Sequence, residues 1–244
     1  MLAKKSHKVQ KSQGHMKNQV GNMKKKSQLI VALDVSSVKK AKKLVDQLSG
    51  AVKIFKVGSQ LFTCAGPEVV RYINKKGAEV FLDLKFYDIP NTVANAVTAA
   101  TGLGVKMMTL HISGGAEMLR AAVHAADEEA ARIKVKRPML IGVTILTSQE
   151  AGCDEVLALA KKGLENGIDG VVCSVREAEF LRDKIKKDFV IVTPGIRSDH
   201  AAKDDQKRTA TASEAQAAGS NFFVVGRPIL AAQDPLAAVK EFTE

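Results

Sequence analysis

Phe81-Leu-Asp-Leu-Lys-Phe-Tyr-Asp-Ile-Pro-Asn-Thr92 places two carboxylates and a lysine, Asp83, Lys85 and Asp88, within six positions. Residues 80–84 read as a buried strand. Side chains two apart leave a strand on the same face, so Asp83 and Lys85 point one way and Leu84 the other. Asp88 follows in a turn. Pro90 and Asn91 then open a helix, because proline suits a first helical turn and residues 92–100 are good helix formers. A charged cluster therefore stands where a strand ends and a helix begins, which is where α/β folds bind ligands. Alone, D-x-K-x-x-D is a weak pattern, since a surface Asp/Lys pair contributes only ~0–1 kcal/mol. The very apolar strand beneath it, and charged strand ends elsewhere in the chain, argue for more.

Outward from this stretch the same unit recurs. Apolar runs occur at 29–33, 52–56, 105–110, 139–144, 170–173, 189–193 and 222–225. Helical spacing follows each of them, near 38–48, 67–76, 115–133, 154–166, 177–185, 209–218 and 236–242. Runs without alternation fit parallel strands buried on both faces. Strand–helix units without a hairpin signal indicate a parallel sheet. With the run at 80–84 there are eight, and 244 residues is close to the usual length of a (β/α)8 barrel. The expected fold is α/β, a single-domain (β/α)8 TIM barrel over 29–244. A doubly wound open sheet is the alternative, but the first turn, Asp34-Val-Ser-Ser37, lacks G-x-G-x-x-G.

Composition narrows the function classes. Apolar residues make up 45%, and no run approaches the ~20 residues that span a bilayer. The N-terminus is charged but has no apolar signal core, so no secretory leader is expected. Cys64, Cys153 and Cys173 are dispersed and odd in number, which suits a reducing cytosol and argues against disulfides or structural zinc. The net charge of +11 is uneven: residues 1–28 hold eight lysines and no acid, leaving 29 basic against 26 acidic residues beyond them. Such a segment buries too little apolar surface to fold alone, so 1–28 is expected to be a disordered extension or an appended segment. It lacks arginine, a poor match to a mitochondrial presequence.

In a barrel the eight strand ends meet at one mouth. There stand Asp34, Lys56, Asp83, Lys85, Asp88, Thr147, Arg197, Gly226 and Arg227, and the opposite strand ends are expected to supply no matching set. Gly226-Arg227 after the eighth strand reads as a phosphate site, with Pro194-Gly-Ile-Arg197 beside it. Barrels often bind phosphate with the loops after strands 7 and 8, where glycine lets backbone N–H groups approach and arginine adds a charged fork. The polar segment 198–208 is placed to close over a ligand.

These stretches, with Ala32-Leu-Asp34, Leu146-Thr-Ser148 and Val225-Gly-Arg-Pro228, resemble orotidine 5′-phosphate decarboxylase in the same order from about residue 28 onward. D-x-K-x-x-D-I-P-N-T is highly specific to that family. The resemblance implies a cytoplasmic homodimer that converts orotidine 5′-monophosphate to UMP and CO2 in pyrimidine synthesis, without metal or organic cofactor. It implies that Lys56, Asp83, Lys85 and Asp88 form a Lys-Asp-Lys-Asp catalytic array, with Asp88 donated across the dimer. Asp34 and Thr92 would hold the ribose, Thr92 also from the partner. Thr147 and Ser148 would contact the pyrimidine, and Arg197, Gln206, Gly226 and Arg227 the phosphate and closing loop.

The chemistry agrees with that reading. Loss of CO2 from C6 leaves electron density on a carbon with no evident sink, and a fixed ammonium beside it stabilises the charge and supplies the proton. Lys85 is the candidate, and Asp83 would face the departing carboxylate. Phosphate binding far from the breaking bond can drive loop closure and be expressed in the transition state.

Two rivals remain. Mg²⁺-dependent sugar-phosphate decarboxylases and aldolase-type synthases share D-x-K-x-x-D, but carry an acid near the end of the second strand, where this chain has Lys56. A barrel binding nucleic acid through its lysine-rich tail is the other, and the body's net charge of +3 argues against it. His111, ending the fourth strand, is read as structural, and Met107-Met108 as core.

Overall fold

The computed structural model describes residues 26–146, 149, 152–197 and 210–243. Thr147, Ser148, Gln206, the closing segment 198–208 and the first 25 residues of the basic tail lie outside the described residues.

The chain runs β1 (Gln28–Ala32), α1 (Val38–Leu48), β2 (Ile54–Gly58), α2 (Ser59–Ala65), α3 (Glu68–Lys75), β3 (Glu79–Phe86) and α4 (Pro90–Gly102). It continues through β4 (Met107–His111), α5 (Gly115–Ile133), β5 (Met139–Val143), α6 (Cys153–Glu165), β6 (Gly170–Val172) and α7 (Val175–Lys184). It ends with β7 (Val190–Thr193), α8 (Ala212–Ala217), β8 (Phe222–Val225), α9 (Arg227–Leu230) and α10 (Pro235–Lys240). The eight strands close in sequence order, and β1 pairs in parallel with both β2 and β8. This is the (β/α)8 TIM barrel expected from the repeating units. Among the described residues no helix is long and apolar enough to cross a membrane.

Local chemistry accounts for the elements. In α1, Ala41, Leu44, Val45 and Leu48 are buried at helical spacing, which turns the lysines outward, and the Ser37 side chain caps the helix by accepting from Lys40 N–H. Ser174 with Glu177 and Thr211 with Glu214 form capping boxes at the starts of α7 and α8.

Two apolar layers follow from the period of two along each strand. One fills the space between barrel and helices, with Val31, Phe55, Leu82 and Met108. The other fills the barrel, with Ile30, Ile54, Phe81, Met107, Ile141, Val192, Phe222 and Val224. Two residues beyond the inner apolar position, the same face carries Lys56 on β2, Asp83 on β3 and Thr109 on β4. The polar site is thus the top layer of the inner core.

The structure corrects the sequence reading in several places. β1 begins at Gln28, and Ser27 is buried with its hydroxyl donating to the Ser220 carbonyl, so residues 26–28 are part of the barrel's edge. The second strand, read as ending at Lys56, runs on through Val57 to Gly58, which is extended (φ −91°, ψ 178°), and α2 follows directly. β3 continues to Phe86, which pairs with Leu110 past an irregularity that includes the left-handed backbone of Lys85 (φ 52°). The N-terminal rim is also charged: Lys106 pairs with Glu79 at 2.6 Å and Arg137 with Asp169 at 2.6 Å. Arg182 donates to the carbonyls of Gly219 and Phe189 and to Asn221. These are separate clamps between neighbouring segments, whereas the C-terminal charges converge on one cavity.

Gly170 tests the closeness of β6 and β7. A Cβ there would lie 2.2 Å from the Val190 carbonyl oxygen, a backbone atom that no rotamer change can move. Gly170→Ala is expected to lower unfolding free energy by roughly 2 kcal/mol or more, read from the urea midpoint. An unchanged midpoint would show that the strands separate at little cost.

Candidate active site

The C-terminal mouth encloses a cavity of about 250 Å³ lined by Asp34, Lys56, Asp83, Lys85, Arg197, Gly226 and Arg227 above apolar side chains that include Ala32, Phe81, Val172, Val192 and Val224. Lys56 Nζ lies 2.9 Å from Asp34 Oδ1 and 3.6 Å from Asp83 Oδ2. Lys85 Nζ donates to Asp83 Oδ1 at 2.8 Å. The side chains of Lys56 and Asp83 are only 12% and 14% exposed, so the pair is desolvated, whereas Asp34 is 55% exposed. A larger cavity, about 650 Å³, lies beside α7 and α8; its charged lining, Arg176 with Glu177, Glu179 and Glu214, comes from those two helices and their starts, not from the strand ends.

The order of strands gives the cavity two ends. In a ring of eight, β7 and β8 lie across from β3 and β4. Arg197 and Arg227 follow β7 and β8, so the arginines face the Asp83–Lys85 pair across the mouth. Asp34 follows β1, between these ends, and a Cβ on Gly226 would come within 3.5 Å of its Oδ2. Gly195, with φ 80°, gives the loop after β7 a backbone that a side chain would strain.

Residues 27–242 match the model of the orotidine 5′-phosphate decarboxylase / HUMPS family. The chain belongs to that family. It is 48% identical over 232 residues to the orotidine 5′-phosphate decarboxylase of Syntrophotalea carbinolica, covering 90% of this chain and 94% of that protein. It is 45% identical over 227 residues to the enzyme of the same name from Moorella thermoacetica, covering 88% and 90%. The crystal structure of orotidine 5′-phosphate decarboxylase from Lactobacillus acidophilus superposes with a TM-score of 0.78 at 36% identity, covering 89% of this chain and all of that one.

In this member of the decarboxylase / HUMPS family the residues singled out from sequence fall into three groups. Asp34, Lys56, Asp83, Lys85, Arg197, Gly226 and Arg227 come together at the mouth. Asp88 and Thr92 do not line the cavity; both are exposed, and Asp88 Oδ1 accepts from Ile89 N–H. Thr147, Ser148 and Gln206 lie outside the described residues.

Two residues escaped the sequence reading. Gly58 stands under the Lys56 ammonium, where a Cβ would lie 3.1 Å from Nζ. Thr109, fully buried, donates to Asp83 Oδ1 at 3.0 Å and accepts from Lys85 N–H at 2.9 Å. Counting by two from the core residue Met107 points to Thr109. Its bonds depend on a register shift between β3 and β4 that no sequence pattern announces.

Burial alone would push the Asp83 carboxyl up, but the Lys56 and Lys85 cations, with hydrogen bonds from Lys85 and Thr109, more than offset it and hold the group below its ordinary value. Burial lowers His111, and the nearby Lys85 cation lowers it further against the opposing pull of Asp83. Its ring packs against Tyr87, with centroids 5.6 Å apart, in keeping with a structural role.

The sign of the Asp83 effect is fixed by linkage. A carboxyl held below its ordinary value of 3.8 stabilises the fold above that pH, and the contribution is lost as pH falls through the lower folded value. The difference in unfolding free energy between the parent and Asp83→Asn is therefore expected to be constant above about pH 5 and to shrink below about pH 4. Urea unfolding across that range measures it, and a difference that grows on acidification would reverse the assignment.

Proposed function

We propose that this chain decarboxylates orotidine 5′-monophosphate to UMP and CO2 in pyrimidine synthesis, with Lys85 as proton donor to C6 and without a metal or organic cofactor. The observation that carries the proposal is the Lys56–Asp83–Lys85 array facing two arginines across one cavity. A 5′-nucleotide has a phosphate at one end and its reacting base at the other. Arg227, Arg197, Gly195 and Gly226 take the phosphate, Asp34 the ribose between the ends, and Lys85 the C6 side of the pyrimidine. The relatives named orotidine 5′-phosphate decarboxylase support the same substrate.

In this reading the C6–carboxylate bond breaks, its electron pair stays on C6, and CO2 leaves past Asp83. The Lys85 ammonium meets the developing charge and transfers its proton to C6, and solvent restores the ammonium. Groups fixed in place before the reaction need no reorganisation as charge develops. Thr147 and Ser148 are assigned to the pyrimidine, and Gln206 to the closing loop, by motif alone.

A magnesium-dependent sugar-phosphate reaction is the rival within the family. Lys56 weighs against it, because its ammonium lies between the carboxylates of Asp34 and Asp83, where it would repel a divalent cation. The basic segment 1–28 is assigned no part in the chemistry, a membrane and nucleic acid are not among the proposed partners, and the dispersed cysteines fit a cytoplasmic setting.

The working unit is proposed to be a homodimer. Asp88 and Thr92 sit beside exposed Tyr87 and Ile89, outside their own chain's cavity, a placement that suits delivery to a second copy.

In excess EDTA the parent is expected to convert orotidine 5′-monophosphate to UMP, followed by ultraviolet absorbance, and Lys85→Ala to be inactive. Activity lost in EDTA and restored by Mg²⁺ would favour the rival. Arg227→Ala is expected to lower kcat/KM by two to three orders of magnitude, about 3–4 kcal/mol of transition-state stabilisation. An unchanged value would remove the phosphate assignment. Mixing unfolded Lys85→Ala and Asp88→Ala chains and refolding them should restore about a quarter of the parent's active sites, because half the dimers are hybrid and each has one intact site. No recovery would place Asp88 in its own chain's chemistry.

A further inference from the structure

We propose that the Thr109 hydroxyl is a positioning residue that sets the relative placement of Asp83 and Lys85; the inference rests on the decarboxylase reading. Phe81 and Leu82 pair in register with Met107 and Met108, and Phe86 pairs next with Leu110. Three residues of β3, Asp83, Leu84 and Lys85, therefore stand opposite one residue of β4, Thr109. A bulge of this kind leaves backbone groups without their ladder partners and re-aims side chains.

The strain and its remedy lie in the same place. Lys85 takes φ 52°, a left-handed conformation that strains a residue bearing a side chain. Its N–H, turned from the ladder, donates to Thr109 Oγ1 at 2.9 Å. The hydroxyl spends its own proton on Asp83 Oδ1 at 3.0 Å, and the same oxygen accepts from Lys85 Nζ at 2.8 Å. One acceptor and one donor use of a single hydroxyl close a ring through the Lys85 backbone, the Thr109 side chain, the Asp83 carboxylate and the Lys85 ammonium. Lys85 is thus tied to one point on β4 twice, directly through its backbone and through Asp83 by its ammonium. Thr109 itself is fully buried on a core strand, so it supplies a fixed reference. Leu84, on the opposite face, packs into the outer core and keeps the bulge from turning over.

A purely structural role would cost stability and leave chemistry alone. Positioning predicts that kcat falls while ligand binding holds, because a small misplacement of the ammonium matters most when charge develops. Thr109→Val keeps the shape and removes the hydroxyl; Thr109→Ser keeps the hydroxyl. In turnover of orotidine 5′-monophosphate, Thr109→Val is expected to lose roughly 10- to 100-fold in kcat, with UMP affinity within about threefold of the parent, and Thr109→Ser to retain most of kcat. A Thr109→Val enzyme with parental kcat, or valine and serine variants that fall alike, would overturn the proposal. If valine prevents folding, judged by urea unfolding, Thr109→Ala takes its place in the comparison. A second readout needs no turnover: the Asp83 carboxyl carbon, titrated by NMR, should have a higher midpoint in Thr109→Val than in the parent, among the same neighbours Lys56, Lys85, Asp34 and His111. An unmoved midpoint overturns the proposal even if the parent does not act on this substrate, whereas an inactive parent with a moved midpoint overturns only the decarboxylase reading.

Discussion

A carboxylate buried at the top of an apolar barrel requires compensation, and much of the mouth follows from providing it for Asp83. An ionised group that is 14% exposed costs several kcal/mol unless charge and hydrogen bonds replace water. Lys56 and Lys85 supply the charge, from β2 and β3, and Thr109 supplies a neutral donor from β4. Lys56 is itself desolvated, and Asp34 from the end of β1 balances it. The chain of partners therefore passes over four of the eight strands, one at a time from β4 to β1, and reaches water at Asp34. Removing any one member leaves its neighbour charged in a place where water no longer compensates.

That cluster can be built because β2, β3 and β4 follow one rule. Their inward faces carry apolar side chains at one level and polar ones two residues on, as in Ile54 then Lys56, Phe81 then Asp83, and Met107 then Thr109. The lower layer fixes the barrel, and the upper layer inherits its rigidity. The rule breaks at Lys85, where β3 needs an extra turn of backbone to bring a long side chain back over the residue two before it. Local backbone strain at a functional position is stable only where the surroundings over-determine it. Here the ties to Thr109 and Asp83 and the packing of Leu84 do so.

The barrel was legible in the sequence because parallel strands buried on both faces read as unbroken apolar runs, and because helices such as α1 carry their lysines on one side. Asp34, Lys56, Asp83, Lys85, Gly226 and Arg227 were legible as strand-end residues for the same reason. What escaped were features set by one strand's height against the next. Thr109 acquires its role from a register shift, and Gly58 from the side chain that passes over it. The strand of 52–56 also extends further than the apolar run shows, because Val57 and Gly58 are paired with Leu82 and Asp83, and α2 begins directly after it. The charged N-terminal rim was missed because composition does not separate charges that close locally, such as Glu79 with Lys106, from charges that converge.

Charge balance at the mouth gives the proposed reaction its direction. Among the described residues the cavity is lined by four cations, Lys56, Lys85, Arg197 and Arg227, and two anions, Asp34 and Asp83. A ligand carrying several negative charges is therefore welcome, but the two ends treat it differently. At the arginine end the charge of a phosphate is the same before and after the proposed chemistry, so that interaction acts on the reaction only through the placement and closure that its binding energy drives. At the Asp83–Lys85 end the proposed substrate's carboxylate would lie near one fixed anion and one fixed cation. In the proposed reaction the negative charge would move to C6 as CO2 leaves, away from Asp83 and toward the Lys85 ammonium. On that proposal the array is better matched to the charge as it shifts than to the charge as it binds, and interactions that strengthen between ground and transition state are the ones that accelerate a chemical step.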